Sequence, residues 1–339
     1  MPSNKTNFLA GVAVLVFLGL AAIFSTASDV DDDLMAKHRV FPSIGPGLRA
    51  LRHGSDGNYY LLASPNVGIA IFDSSGKQLK IINVPPSPAL SDKPGPTASV
   101  SFGEDLDVDS KGNLYVADRS SNQIKFLSPD GRLLRSIECN SPLSIAALPE
   151  GEVALTQPRS DHLVIVFGAS GQLVREFGDP ESLSERADLN RFASIGRISS
   201  DPQGHLYYGY TYMPEPLVRM YDRFGFAKLD FQFTNIDAFS EARAMRREIQ
   251  RQEKRAEPPS LLPILTAFGV DPVNGDLWMA LHNTLLHFDK DGNRRSEYQI
   301  YTKEGARLDA TVILVEENRL LIGSDPLGVY EFSRPDRSP

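Results

Sequence analysis

The sequence predicts an all-β fold: a six-bladed β-propeller closed by a strand near the amino terminus, with one inserted helix and an amino-terminal hydrophobic helix. Three observations support this prediction. A four-stranded unit recurs along the chain, each unit carries two turn glycines at similar spacing, and the last unit lacks its fourth strand. The 339 residues are 41% hydrophobic and 23% charged, which is enough apolar side chain for a large core. The net charge of -8 argues against a nucleic-acid partner.

The clearest unit spans residues 105–134 and reads strand, turn, strand, loop, strand, turn, strand. Its alternating runs end at Lys-Gly-Asn and Pro-Asp-Gly, and glycine and asparagine tolerate the positive φ that tight hairpin turns need. The other units show the same paired turn glycines. The five pairs are Gly57 and Gly76, Gly112 and Gly131, Gly151 and Gly171, Gly204 and Gly225, and Gly275 and Gly292.

A sixth unit runs from Leu308 to Phe332 and has only three recognisable strands. An open edge in a circular array would leave a row of backbone donors and acceptors unpaired. The segment from His38 to Phe41 has a strand-like composition and precedes the first unit, so we expect it to supply the outer strand of the last blade. The propeller is therefore predicted over residues 37–335.

The first residues predict export. After Lys5, the run from Phe8 to Phe24 has no charge and is either the core of a signal peptide or a short membrane anchor, within residues 1–28. An acidic linker is predicted over 29–36. Both alternatives place the propeller outside the cytoplasm, periplasmic or secreted, and tethered by a single transmembrane helix if residues 8–24 are retained. The single cysteine, Cys139, cannot form an internal disulfide.

Residues 105–134 resemble an NHL repeat. The chain as a whole resembles the NHL-repeat group of six-bladed propellers and, more loosely, the TolB-like and gluconolactonase-like propellers. The resemblance implies the fold. It does not imply one activity, because propellers of this kind include lyases, lactonases and protein-binding scaffolds.

The two faces of the propeller differ in their loops. In a meandering blade, the turns between strands one and two and between strands three and four lie on one face, here the turn face. The loops between strands two and three and the crossovers between blades lie on the other, here the long-loop face. The long insertions Pro85–Val100, Gly178–Phe192 and Asn235–Pro263 all fall on the long-loop face, so we expect binding there.

The last insertion predicts a helix over about 237–256, with Asp237 as its N-cap. Ala238, Ala242, Met245 and Ile249 form a narrow apolar stripe, and the remaining surface is basic. Two interpretations stay open. The helix is either a lid or partner-docking element with a basic surface, or a solvated helix whose stripe packs on blade four.

We hypothesise that the protein is a recognition module that binds a protein segment or a small ligand on the long-loop face, without catalysis and without a cofactor. The candidate ligand-binding residues lie in the loops between strands two and three. They are Asp118, Arg119, Gln157, Arg159, Tyr210, Tyr212, His282 and Asp325. The two tyrosines are the strongest pair, because aromatic side chains supply contact area with little loss of entropy.

The alternative is a lactonase or lyase with calcium or another divalent cation in the central channel, near Asp118. Such a cation needs several oxygen ligands from different blades. At the equivalent position of the six units stand Ala63, Asp118, Gln157, Tyr210, Leu281 and Ser324, of which one is a carboxylate. The histidines are scattered without zinc-type spacing, and His282 and His287 merely flank a strand. The sequence therefore favours binding over catalysis.

Overall fold

Six sheets follow one another along the chain, and each contains an antiparallel meander whose first strand lies at the centre of the molecule. The structure is a computed structural model that describes residues 32–63, 68–82, 102–234 and 239–337. Blades one to three comprise β3 (Leu48–His53), β4 (Tyr59–Ala63), β5 (Gly68–Phe72), β6 (Gln78–Ile82), β7 (Gly103–Val108), β8 (Leu114–Asp118), β9 (Gln123–Leu127), β10 (Leu133–Glu138), β11 (Ser144–Ala147), β12 (Val153–Thr156), β13 (Val164–Phe167) and β14 (Leu173–Phe177).

Blades four to six comprise β15 (Gly196–Ser200), β16 (Leu206–Tyr210), β17 (Leu217–Tyr221), β18 (Ala227–Gln232), β19 (Ala267–Val270), β20 (Leu277–Leu281), β21 (Thr284–Phe288), β22 (Arg294–Tyr301), β23 (Val312–Val315), β24 (Arg319–Ser324) and β25 (Gly328–Ser333). The all-β, six-bladed prediction is confirmed.

The amino-terminal segment closes the ring as the sequence predicts. Strand β2 (His38–Val40) pairs antiparallel with β25, with His38 opposite Glu331 and Val40 opposite Val329. The next residue, Phe41, is buried and its ring centroid lies 4.8 Å from that of Phe72. Closure therefore combines backbone pairing at the rim with apolar packing on blade one.

A further strand lies within the segment predicted as an acidic linker. Strand β1 (Asp32–Met35) pairs parallel with β22 and makes blade five a five-stranded sheet. Leu34 packs against the core between blades five and six, and the adjacent Ala36 is buried there. These two apolar residues fix a segment whose aspartates suggest solvent exposure.

The core lies mainly between neighbouring blades. In blades one, two, four and five a large side chain follows the first-turn glycine by three residues. These side chains, Tyr60, Tyr115, Tyr207 and Trp278, are all buried, as is Ala154 at the same position of blade three. Trp278 is fully buried in a cluster that also contains Val315 and Leu320 of blade six. This position of the repeat thus supplies contacts between blades.

The long-loop face carries two helices where the sequence predicts one. Helix α1 (Ala187–Ala193) lies in the insertion after blade three, and α2 (Ser240–Glu253) lies in the insertion after blade four. The N-cap of α2 is Phe239, with no side-chain capping bond, and the predicted cap Asp237 lies outside the described residues. A helix of seven residues is too short to show a clear periodicity in sequence, which explains why α1 was not predicted.

The apolar stripe of α2 packs on the propeller. Ala242, Met245 and Ile249 are buried, and the latter two join a cluster with blade residues such as Phe233 and Leu281. The arginines on the other side are exposed. These contacts are what the solvated-helix interpretation predicts.

The predicted leader 1–28 and the insertion Pro85–Val100 lie outside the described residues. Within the part of the chain that the structure describes, no helix is both long enough and apolar enough to span a bilayer.

Candidate functional site

A central channel of about 1360 Å³ runs between the innermost strands of the six blades. The first turns of all six blades line its rim on the turn face, through Ser55, Lys111, Glu150, Pro202, Pro272 and Glu317 among others. Towards the long-loop face the lining includes Arg49, Arg197 and Thr311, which stand at or beside the beginning of innermost strands. A small ligand can therefore contact several blades at once.

The wall formed by blades one to three is polar, and its charged groups form hydrogen bonds within the wall itself. The Arg52 guanidinium donates to Asp105 and Asp107, each at 3.1 Å. Asp107 Oδ2 accepts the backbone N–H of Ala147 at 2.7 Å. Asp105 Oδ2 accepts the Ser144 hydroxyl at 2.6 Å. These carboxylates cap the channel-facing edge of the next innermost strand, whose N–H groups would otherwise lack partners.

Burial raises the pKa of Asp107, although the Arg52 charge and the Ala147 N–H act in the opposite direction. Because each carboxylate already accepts both a guanidinium and a backbone N–H, the wall has a structural role. Neither aspartate is placed as a free base or as a metal ligand.

Blades five and six make the opposite wall apolar and close-fitting. It consists of Ala267, Phe268, Gly269, Val312 and Ile313, among others. A Cβ atom on Gly269 would lie 2.8 Å from the Ile313 carbonyl oxygen, so β19 and β23 approach each other more closely than a larger residue permits. The channel thus has a polar side and an apolar side, which suits an amphipathic ligand.

Two arginines that line the channel have no counter-charge within the described ranges. Arg49 and Arg197 line the channel, and neither guanidinium forms a hydrogen bond or ion pair with any residue that the structure describes. Arg49 Nε is buried, and its guanidinium carbon lies 5.4 Å from the centroid of the Phe102 ring. Buried donors normally have a partner, and Arg49 Nε has none among the described residues. Together with the half-buried Arg197, it gives the channel two cations without a counter-charge in a chain of net charge -8, which indicates a place for an anion.

Three of the eight predicted contact residues hold loops together. Asp118 is fully buried, its Oδ2 lies 2.6 Å from Lys125 Nζ, and it accepts the Phe102 N–H at 3.0 Å. Tyr210 is buried as well, and burial raises the pKa of its hydroxyl. Gln157 donates to the Cys139 sulfur at 2.8 Å.

Two others meet at the long-loop end of the channel. Arg119, half exposed, donates to Glu104 at 2.9 Å. Burial raises the pKa of Tyr212, while the charges of Arg197 and Arg119 act to lower it and that of Glu104 acts to raise it. These four groups are near enough to interact electrostatically and are here called the channel mouth; Arg197 is the member that also lines the channel.

The remaining three predicted residues lie apart from this mouth, in the loops of other blades. Arg159 is exposed in blade three. His282 has a positive φ and its backbone N–H donates to Thr266. Asp325 accepts the Gly47 N–H at 3.1 Å. Sequence reasoning missed Arg49 and Arg197, whose shared signal is an arginine as the second residue of an innermost strand.

Metal-ligating groups converge at one place within the described ranges, and it is not the channel. Asp276, His287 and Asp336 offer ligand atoms within 4.8 Å of one another, beside the first turn of blade five. Asp118, the cation ligand of the enzyme alternative, instead pairs with an ammonium group. A cation there would have to displace Lys125.

Three solved structures of lyases are similar to this fold. A streptogramin B lyase structure matches with a TM-score of 0.53 and 16% identity, covering 86% of this chain and 84% of that one. Selenomethionine-substituted virginiamycin B lyase from Staphylococcus aureus matches with a TM-score of 0.53 and 14% identity, covering 85% and 80%. A catalytically inactive variant of that lyase with quinupristin matches with a TM-score of 0.54 and 13% identity, covering 86% and 81%.

No protein-family model and no curated protein sequence matches this chain. The NHL-repeat family itself is thus not confirmed. At such low identities the three solved structures establish the six-bladed propeller fold and nothing finer.

Proposed function

We propose that the protein is a recognition module that binds a small amphipathic anion in the central channel, with Arg49 and Arg197 as the anion contacts. The observation that carries this proposal is the pair of uncompensated guanidinium groups on the channel wall. The nearby carboxylates, Asp105 and Asp107, are already engaged by Arg52, so they do not neutralise the pair.

The chemistry of the two walls favours a carboxylate or a phosphate joined to an apolar body. Guanidinium groups present parallel N–H donors that match such oxyanions. The apolar side supplied by Phe268, Val312 and Ile313 would cover the rest of the ligand. Arg119 and Tyr212 at the mouth extend the site towards the long-loop face, where the sequence predicts binding.

Calorimetric titration tests the proposal. The probes are octanoate, phosphate and citrate, with octanol as the uncharged counterpart of octanoate. A hydrogen bond to a charged group contributes about 1.5–3 kcal/mol. Arg49→Gln and Arg197→Gln should therefore each weaken binding roughly ten- to hundredfold.

The matched control is Arg159→Gln, which removes an exposed arginine outside the channel. It should bind the probes as the unchanged protein does. Two results would overturn the proposal: none of the anions binds, or the control weakens binding as much as the channel variants do.

The lyase alternative is favoured by one observation, the fold shared with the streptogramin B lyases. Liquid chromatography of quinupristin after incubation with the protein, with and without a chelator, tests it directly. Turnover that the chelator abolishes would replace the recognition proposal with an enzyme that uses a divalent cation. Unchanged quinupristin leaves the anion-binding proposal as the one to pursue.

Export is part of this proposal and comes from residues 8–24 of the sequence alone. A signal peptide or anchor at that position would place the channel in the periplasm or outside the cell, where the ligand would then be found. Fractionation of cells that express the full chain would locate it.

A further inference from the structure

The histidine that sequence spacing leaves isolated has two carboxylates beside it in the structure. His287 lies on the third strand of blade five, Asp276 in the first turn of the same blade, and Asp336 in the 3-10 turn Pro335–Arg337 that follows the last strand of blade six. These three residues, here called the rim cluster, come from three separate elements. No local motif could have revealed them.

The geometry of the rim cluster is that of a compact three-ligand site. His287 Nε2 lies 3.2 Å from Asp276 Oδ2, and the ligand atoms of all three residues lie within 4.8 Å of one another. The His287 side chain is 6% exposed, and the two carboxylate side chains are each 15% exposed. The site is therefore shielded by protein but still reachable from solvent.

Neighbouring groups hold the ligands in place. Asp276 Oδ1 accepts the Lys290 N–H at 3.0 Å. Both oxygens of Asp336 accept from Arg334, Oδ1 from Nε at 3.1 Å and Oδ2 from Nη2 at 2.6 Å. Each carboxylate oxygen keeps a further lone pair for a ligand. Metal-binding carboxylates commonly have such hydrogen-bonding partners, which orient them.

The aromatic wall of the cluster leaves one donor unused. The Trp278 ring stacks on the His287 ring, with centroids 4.3 Å apart and an interplanar angle of 9°. Trp278 is fully buried, and its Nε1 has no hydrogen-bond partner among the described residues.

The local charge also permits a cation. Asp271, Asp276 and Asp336 contribute three negative charges. Arg334, which pairs with both Asp271 and Asp336, and Arg337, which pairs with Asp271, contribute two positive ones. One net negative charge remains while His287 is neutral. A divalent cation would therefore not meet a positive surrounding.

We propose that the rim cluster is a binding site for a divalent transition metal of the zinc class. One imidazole nitrogen and two carboxylate oxygens are ligands that suit such ions, and three protein ligands leave a position for water. Calcium prefers six to eight oxygen ligands, which the cluster does not supply. The metal would join the carboxyl-terminal turn to blade five, and this role is independent of the channel.

The experiment uses the full chain, freed of any histidine tag and treated with a chelator that is then removed. Isothermal titration with Zn²⁺ should show one site, and Co²⁺ should give visible absorption bands. Mg²⁺ and Ca²⁺ should give neither saturable heat at that site nor competition with Zn²⁺. Zn²⁺ should also raise the melting temperature, because it binds the folded state.

Asp336→Asn is the first variant, because its residue lies in a terminal turn. It should weaken Zn²⁺ binding at least about tenfold. Asp276→Asn tests the same site from blade five and serves if the first variant misfolds, as judged by circular dichroism. The control is Asp291→Asn, an acidic residue in an outer turn of the same blade, with a side chain that is 67% exposed.

The outcomes are distinct. Weaker Zn²⁺ binding in the cluster variants, with the control unchanged, supports the site. The proposed site would be contradicted if the unchanged protein does not bind Zn²⁺, or if Asp336→Asn and Asp291→Asn bind it with equal affinity. Octanoate is titrated in parallel, so that a failure of the zinc site can be distinguished from a failure of the anion-binding proposal.

Discussion

Arg334 is a charged residue whose side chain is completely buried, although arginine side chains are usually exposed. Its side chain is 0% exposed, as is that of its partner Asp271, and the pair joins blade six to blade five. Arg334 also donates to Asp336 and to the Glu316 carbonyl, the latter at 3.1 Å. A buried arginine with all three guanidinium nitrogens engaged ties several elements together at once.

Removal of one partner of this pair should destabilise the protein strongly. Arg334→Met leaves Asp271 buried without its main counter-charge, so we expect the free energy of unfolding to fall by about 3–5 kcal/mol. Urea denaturation measures the change. The double variant Arg334→Met with Asp271→Asn should recover part of the loss, because it removes the orphaned charge as well.

Arg295→Met is the matched surface control. Arg295 pairs with Asp289 and is 60% exposed, so its loss should cost less than about 1 kcal/mol. Comparable losses in Arg295→Met and Arg334→Met would contradict the interpretation that burial makes the Arg334 pair important.

Single residues also mark the limit of what the sequence predicts. The inter-blade position of Trp278 follows from its place in the repeat. The lack of an ion-pair partner for Arg49 and Arg197 in the described part of the chain does not follow from the sequence, because it depends on which carboxylates of neighbouring blades lie close to them. Asp118 shows the same limit: its position at a strand end was predicted, but its burial against Lys125 depends on packing.

At the scale of single elements, the outer hairpin turns use one design repeatedly. In blade four the turn begins at Asp222 and contains Gly225 at φ 94°, and the Gly225 N–H donates to the Asp222 carbonyl at 2.9 Å. The Asp222 carboxylate accepts the N–H groups of Phe224 and Phe226 at 2.9 and 3.0 Å. Blade five repeats this arrangement with Asp289.

These turns predict a dependence of stability on pH. Burial acts to raise the pKa of Asp222, but the two N–H donors and Lys228 more than offset it and hold the pKa below its usual value. A lowered pKa in the folded state means that the ionised carboxylate stabilises the fold. That contribution is complete above the ordinary aspartate pKa of about 3.9 and is lost as the pH falls through the lower folded value.

Asp222→Asn isolates this effect, because an amide oxygen can still accept an N–H but carries no charge. The unchanged protein should exceed the variant in stability at pH 6, and the difference should shrink towards pH 3 in urea titrations. A stability difference that stays constant over this pH range would contradict the interpretation that the ionised Asp222 carboxylate stabilises the fold.

Two elements were not predicted, for different reasons. Helix α1 is only seven residues long, so its periodicity carries little information. Strand β1 is acidic, and its identity depends on its pairing with β22, more than 250 positions away in sequence. The turns, by contrast, were predicted from local chemistry, because glycine at a positive φ is a requirement of the turn itself.

At the scale of the whole molecule, the chain closes its ring with two strands from one short segment. Strand β1 extends blade five, and β2 completes blade six. The two strands therefore bridge neighbouring blades from outside, while Phe41 inserts into the core of blade one. The closure was predictable because the sixth unit lacks a strand, and an open edge in a ring is unfavourable.

A truncation series separates the contributions of these two strands. A chain that starts at Asp32 retains both and should unfold like the full chain. A chain that starts at Ala36 lacks β1 alone, and because blade five keeps its four antiparallel strands, its melting temperature should fall by only a few degrees. A chain that starts at Phe41 also lacks β2 and exposes the edge of β25.

The last truncation should lower the melting temperature by more than about 5 °C beyond the second one, because it removes a complete strand pairing from the ring. It should also self-associate in sedimentation experiments, since an unpaired strand edge can pair with another copy. If the chains that start at Ala36 and at Phe41 unfold at the same temperature and both stay monomeric, then β2 does not hold the ring closed. In that case, the packing between blades one and six, including Tyr59 and Leu321, must suffice for closure.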